Sequence, residues 1–149
     1  MAEHTSSDIT IEASPAEVMA VIADFDRYSE WTGEVKQAEV LERDERGRAA
    51  KVRLVLDAGA IKDDHTLAYS WPRENVVEWS LVKSQMLREL TGSYALEPLA
   101  GGKRTKVTYT LTVDVKIPML GMIKRKAEKV IIDRALDGLK NRVEAGPAA

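Results

Sequence analysis

Cysteine is missing from all 149 residues. That excludes disulfides, thiolate nucleophiles and cysteine-type metal sites, and it fits a reducing compartment. Histidine is nearly missing as well: His4 and His65 are the only two. With no CxxC pair beside them, a structural zinc site has too few ligands. There is no excess of positive charge. Lysine and arginine number 22 against 24 acidic residues, for a formal net charge of -2. A nucleic-acid partner, which needs a basic face, is therefore not expected. Apolar runs are short and broken by charge, far below the roughly 20 residues that span a bilayer. Residues 1–7 are polar and lack the charged-then-apolar layout of a signal peptide. The expected location is the cytoplasm. There is no phosphate-binding glycine loop and no serine elbow, and neither cofactor nor metal is expected.

What is present reads as one domain over residues 1–149, with an ordered core of about 6–144. Ile9 and Ile11 alternate with polar neighbours, which predicts a half-buried strand over 6–12. Ser14, Pro15 and Glu17 form a helix start: a capping serine, a proline in first position and an acid three residues after the cap. The helix over 15–23 would bury Val18, Met19, Val21 and Ile22. A second short helix is expected over 25–30, ending near Trp31, Thr32 and Gly33. Strands are predicted over 35–42, 48–57, 61–71, 75–83, 88–99 and 105–115, with a hairpin turn at 100–103. In the last strand Val107, Tyr109, Leu111 and Val113 alternate with Lys106, Thr108, Thr110 and Asp114, the pattern of a sheet with one dry face.

A helix over 122–144 carries a solvent stripe of Lys126, Lys129, Asp133, Asp137, Lys140 and Glu144. Its other side holds Ile123, Ala127, Val130, Ile131, Ala135 and Leu139. Six consecutive antiparallel strands curl because sheets twist, and one long amphipathic helix can lie in the hollow. The expected fold is α+β: a curved seven-stranded antiparallel sheet wrapped around a long C-terminal helix, with two short helices between strands 1 and 2.

Four local motifs stand in order along this pattern. They are Ser14-Pro15-Ala16-Glu17-Val18 followed by Phe25-Asp26-Arg27-Tyr28-Ser29-Glu30-Trp31; Gly92-Ser93-Tyr94-Ala95-Leu96-Glu97-Pro98; Gly102-Lys103-Arg104-Thr105-Lys106-Val107-Thr108-Tyr109; and Ala135-Leu136-Asp137-Gly138-Leu139-Lys140. Together they resemble the START-like, or SRPBCC, superfamily with its helix-grip fold, in the polyketide cyclase/dehydrase and lipid-transport branch. The resemblance spans about residues 6–143. It implies that the region of Trp31 borders a cavity mouth. It leaves the activity open, because this fold hosts cyclases, lipid carriers, hormone receptors and chaperone-associated modules.

One helix lying across a curved sheet fills the space between them only if the side chains are large. Ala50, Gly92, Ala127, Ala135 and Gly138 are small, and the large inward residues are few: Trp79, Tyr94 and Tyr109. A mostly apolar cavity is therefore expected. Its ligand-binding wall would draw Leu54 from the third strand, and His65 and Leu67 from the face they share with Ile61. By alternation Trp79, Tyr94 and Tyr109 would join them, and Arg88, on the parity of Tyr94, would guard an entrance. Ala127, Ile131 and Ala135 would come from the helix, and Trp31 from the end of the second short helix. Among these, His65, Tyr94, Tyr109 and Arg88 are the candidates for catalysis. An imidazole titrates near neutrality, and phenols can orient a ligand oxygen.

Each also has a plainer role. The aromatics can be core, Trp31 can anchor the short helices, His65 can be a hydrogen-bonded histidine, and Arg88 can pair with an acid. Asp63-Asp64-His65 makes a poor metal site, since adjacent strand residues point to opposite faces.

Three functions remain open from sequence. One is binding of a hydrophobic small molecule: a lipid, an isoprenoid or a polyketide-like compound. Another is a polyketide aromatase/cyclase that confines a reactive chain and assists acid–base chemistry. The third is a protein-interaction module without a ligand. In addition, Ile117-Pro118-Met119-Leu120-Gly121-Met122 precedes Lys124, Arg125 and Lys126. An apolar loop beside a basic cluster suits a hydrophobic lid or transient contact with an anionic membrane.

Overall fold

The computed structural model describes residues 5–59, 62–116 and 121–145. His4, Ile61, Ile117, Pro118, Met119, Leu120 and the tail beyond Ala145 lie outside the described residues. The first strand, β1, runs Thr5–Ile11, and α1 runs Pro15–Ile22. The capping box is formed: Ser14 accepts from the Glu17 amide, while the Glu17 carboxylate reaches back to the Ser14 amide. Val18 and Ile22 are buried on α1, while Met19 and Val21 are half-buried. The predicted second helix is a 3-10 turn at Phe25–Arg27 continuing into α2, Tyr28–Trp31.

The remaining strands are β2 (Val35–Arg43), β3 (Ala49–Asp57), β4 (Lys62–Arg73), β5 (Val76–Ser84), β6 (Leu87–Leu99) and β7 (Arg104–Val115), followed by α3 (Gly121–Glu144). All seven strands make one antiparallel sheet in the order β1-β7-β6-β5-β4-β3-β2. This is the helix-grip arrangement, with α3 packed against β1, β7, α1 and α2. No helix of the described residues is long and apolar enough to cross a membrane.

Two departures from the sequence pattern have local causes. The strand predicted to stop at Trp71 continues through Pro72 to Arg73. The ladder to β5 is irregular between Ser70 and Arg73, and a bulge is where a residue without an amide donor is tolerated. On α3 the buried face is Ala127, Glu128, Ile131, Ile132, Ala135, Leu136, Leu139 and Val143. Ile123, one turn before it, is exposed, because the helix has not yet reached the sheet.

Glu128 is a charged residue with no exposed surface. One carboxylate oxygen accepts from the Thr5 hydroxyl at 2.8 Å and the other from the Val113 amide at 2.8 Å. Among the described residues the β1–β7 pairing ends at Thr5 opposite Leu111. Two residues on, the buried Val113 amide donates to Glu128, which supplies the acceptor that a buried backbone donor requires. The carboxylate thereby ties α3 to the sheet.

The small residues act differently from expectation. A Cβ on Gly92 would lie 2.5 Å from the Trp79 ring, and one on Gly138 would lie 1.7 Å from the Trp31 carbonyl oxygen. These glycines let neighbours approach closely and leave no open space. Ala50 is only half-buried, while Ala49 beside it is in the core.

Candidate ligand-binding cavity

The sequence has three tryptophans, four tyrosines and one phenylalanine. Every one of them belongs to a single network. Phe25 stacks on Tyr28 and meets the edge of Tyr69, Tyr28 meets Trp31, Tyr69 meets Trp71 and Trp79, and Trp79, Tyr94 and Tyr109 are in mutual contact. Ring centroids are 4.6 Å apart for Tyr94 and Tyr109, and 6.4 Å for the widest pair, Tyr69 and Trp71. Strand alternation and register bring these rings together from distant sequence positions: Tyr94 stands opposite Tyr109 on β7 and opposite Val77 on β5.

Six of these rings line a cavity between the sheet, α2 and α3. Its volume is about 70 Å³. Of the residues expected there, the structure brings Trp31, Leu54, His65, Leu67, Trp79, Tyr94, Tyr109, Ile131 and Ala135 onto this one wall. Two expected residues are elsewhere. Ala127 is buried one turn before Ile131 but is not on the wall. Arg88 points to solvent, its side chain 66% exposed and 3.7 Å from Asp114. A β-bulge between Leu87 and Glu89 shifts the register, so parity counted back from Tyr94 fails at Arg88.

Sequence reasoning missed Tyr28, Tyr69, Thr32 and Glu34, which also line the cavity. Tyr69 shares the parity of His65 and Leu67, a signal that was available. Tyr28, Thr32 and Glu34 sit on a short helix and loop, where no simple period applies.

The cavity is closed on one side by a seam between α2 and α3. Gly138 abuts the Trp31 backbone. On neighbouring turns Arg142 pairs with Glu30 at 2.8 Å, and Arg134 with Glu34 at 3.4 Å. Arg134 is mostly exposed, so its pair is a weak closure.

His65 is buried and its Nδ1 lies 3.2 Å from Asp63 Oδ2. Asp63, two residues away on the same strand face, is buried as well. It also accepts from the Ser84 hydroxyl, and from the Met86 amide at 3.1 Å. Burial pushes the His65 imidazole below its ordinary value, against the opposing pull of Asp63. A neutral ring donating from Nδ1 to Asp63 keeps Nε2 as an acceptor. Burial pushes the phenols of Tyr28, Tyr69, Tyr94 and Tyr109 up, so they remain protonated donors at neutral pH.

Among the described residues no group of three or more histidine and acidic side chains could hold a metal ion. One buried side-chain nitrogen or oxygen has no hydrogen-bond partner among them: Trp31 Nε1. Away from the cavity, Met122 and Ile123 are exposed beside Lys124, Arg125 and Lys126.

A family model described as polyketide cyclase / dehydrase and lipid transport matches residues 11–140. None of the curated proteins matches the chain in sequence. Among solved structures, the chain is similar to a START-superfamily protein from Mycobacterium smegmatis, with 25% identity over 95% of this chain and 97% of that one and a TM-score of 0.89. A protein from Thermus thermophilus shares 25% identity over 98% of this chain and all of its own, with a TM-score of 0.80. The Zhui aromatase/cyclase from Streptomyces sp. R1128 has the same fold, at 17% identity over 99% of this chain and 100% of that one and a TM-score of 0.80.

Proposed function

Since the chain belongs to the polyketide cyclase / dehydrase and lipid transport family, we propose that it binds a hydrophobic small molecule in the cavity between sheet and α3. The observation that carries this reading is the convergence of every aromatic side chain on one network around that cavity. Aromatic walls offer large apolar contact at low entropic cost. Each square ångström of apolar surface removed from water contributes about 25 cal/mol. The volume of about 70 Å³ is below the roughly 300–1,000 Å³ of pockets that enclose drug-sized ligands. In this conformation the cavity is smaller than the roughly 150 Å³ that holds a benzene ring, and a ring compound, lipid or polyketide enters by parting the α2–α3 seam and enlarging it. Mass spectrometry of small molecules extracted from gently purified protein tests the reading. A stoichiometric lipid, isoprenoid or aromatic compound supports it, and a clean blank counts against a carrier.

A second reading, an aromatase/cyclase, is favoured by the Asp63–His65 pair. His65 Nε2 would take a proton from a carbon beside a ligand carbonyl. The electron pair of that C–H bond would move onto the carbonyl oxygen, held by a phenol such as Tyr94 or Tyr109. The resulting enolate carbon would then attack a second carbonyl of the same chain, whose π pair would move onto its oxygen, and that oxygen would take back the proton held by His65. In an enzyme His65→Ala abolishes turnover; in a carrier it leaves exchange of the bound molecule largely intact. The exposed Met122 and Ile123 beside a basic cluster fit brief docking on an anionic membrane during ligand exchange. Failure to co-sediment with anionic vesicles at low salt would remove that part of the reading.

A further inference from the structure

A second hollow opens at the end of the sheet where β3 and β7 stop and β4 begins. It is a cleft of about 540 Å³. Three lysines line it: Lys36 at the start of β2, Lys62 at the start of β4 and Lys116 just past β7. The antiparallel strand order brings these distant positions to one end of the molecule.

The charges in the cleft are unevenly satisfied. Asp64 holds the Arg53 guanidinium at 2.9 Å and 2.6 Å, and Asp57 accepts the Gly59 amide at 3.2 Å. Asp63 accepts from the Ser84 hydroxyl and the Met86 amide. The three lysines have no carboxylate partner. Among the described residues the lysine ion pairs are Lys51–Glu42, Lys129–Asp133 and Lys140–Glu144. Lys36 and Lys116 donate only to the Gly33 and Ser84 carbonyls, at 2.7 Å and 3.0 Å, and each ammonium keeps two further protons to donate.

Cleft and inner cavity share a wall. Leu56 lines both. Its partner Val35 on β2 lines the cavity, and its partner Asp63 on β4 lines the cleft while holding His65 of the cavity wall. A single layer of side chains therefore separates the two spaces. They differ in what they tolerate. The described lining of the cavity includes no lysine or arginine, and its one carboxylate, Glu34, is paired with Arg134. An anion buried there has no counter-cation, which is strongly unfavourable. In the cleft an anion meets three ammonium groups and keeps contact with water.

We propose that the ligand is an amphiphile whose anionic head, a carboxylate or phosphate, is held by Lys36, Lys62 and Lys116, with its apolar tail passing Leu56 into the cavity. This rests on the cavity reading given above and names the ligand class for it.

The matched probes are cis-parinaric acid and its methyl ester, which share a tail and differ in head charge. Binding of both is followed by fluorescence titration. The cleft variant combines Lys36→Gln, Lys62→Gln and Lys116→Gln, all at exposed positions. A control variant combines Lys51→Gln, Lys103→Gln and Lys106→Gln, with the same change in net charge at the other end of the sheet. The ratio of acid affinity to ester affinity is expected to fall roughly tenfold in the cleft variant, the scale of three exposed charge contacts together, and less than about twofold in the control. A ratio unchanged in the cleft variant, or lowered equally in both variants, overturns the head-group site alone. Dodecyl phosphate is expected to displace the bound acid where inorganic phosphate at the same concentration does not. Equal displacement by both marks a site for free anions and overturns the amphiphile. Ala135→Leu, which narrows the cavity, is expected to weaken both probes alike. Binding of neither probe, or binding of both that ignores Ala135→Leu, overturns the cavity reading itself and the head-group site with it.

Discussion

His65 is surrounded by opposing influences: desolvation by burial lowers its proton affinity, while Asp63 and Asp64 raise it, and desolvation wins. The sign of the stability effect follows. The unfolded chain binds the proton near the ordinary value of 6.5, and the folded chain only at lower pH. As pH falls through that window, the unfolded state takes up protons first and stability is lost. Wild-type Tm is expected to drop between about pH 7.5 and about pH 5.5, and His65→Gln to flatten the slope. Thermal melts across that range check it. Hydrogen bonds from Arg53 and Lys140 hold Asp64 and Glu144 low, so those carboxylates titrate below the window.

A second residue-scale case is Gly138. Alanine there gains about 1 kcal/mol of helix propensity. Its Cβ would lie 1.7 Å from a backbone oxygen of α2, and overpacking against backbone costs about 1–3 kcal/mol. At so short a distance the clash wins, and Gly138→Ala is expected to lower Tm by roughly 5 °C. At this scale the sequence was partly legible. The i, i+2 spacing of Asp63 and His65 puts them on one strand face and was readable. The Ser84 hydroxyl and Met86 amide that complete the network come from the end of β5 and the turn after it, and were not.

Elements were more legible than residues, because helix and strand periods average over many positions. The capping box at Ser14 and the alternation of β7 located their elements to within a residue. Failures came from bulges, which reset parity at Arg88 and let the strand run on through Pro72. They also came from treating small residues as empty space. Gly92 and Gly138 are sites of close contact. Glu128 is the clearest element-scale surprise, since a helix pattern gives no sign that a charged residue will serve a strand. Glu128→Ala leaves the buried Val113 amide and the half-buried Thr5 hydroxyl without their acceptor, and a buried unpaired donor costs about 1–3 kcal/mol. Glu128→Gln keeps an acceptor for Val113 and a donor for Thr5, whose hydroxyl can reverse its role. The alanine variant is expected to lose roughly 2 kcal/mol or more in denaturant unfolding, and the glutamine variant less than half of that.

At the scale of the whole molecule, a chain poor in aromatics gathers all of them into one network, six of whose rings line one cavity. That arrangement was only partly legible. Alternation pointed Trp79, Tyr94 and Tyr109 inward, but the joining of Phe25, Tyr28 and Trp31 to them depends on how α2 folds over the sheet. The central claim is that this cavity takes a hydrophobic guest. Its most direct test is fluorescence titration of the uncharged probe N-phenyl-1-naphthylamine with wild type and with Ala135→Leu, each shown to be folded by thermal melt. Ala135 lines the cavity, and leucine adds three carbons to a space of about 70 Å³. Saturable one-to-one binding to wild type, weakened about tenfold or more in Ala135→Leu, is the expected result. Equal binding to both proteins would place the probe elsewhere and contradict the account.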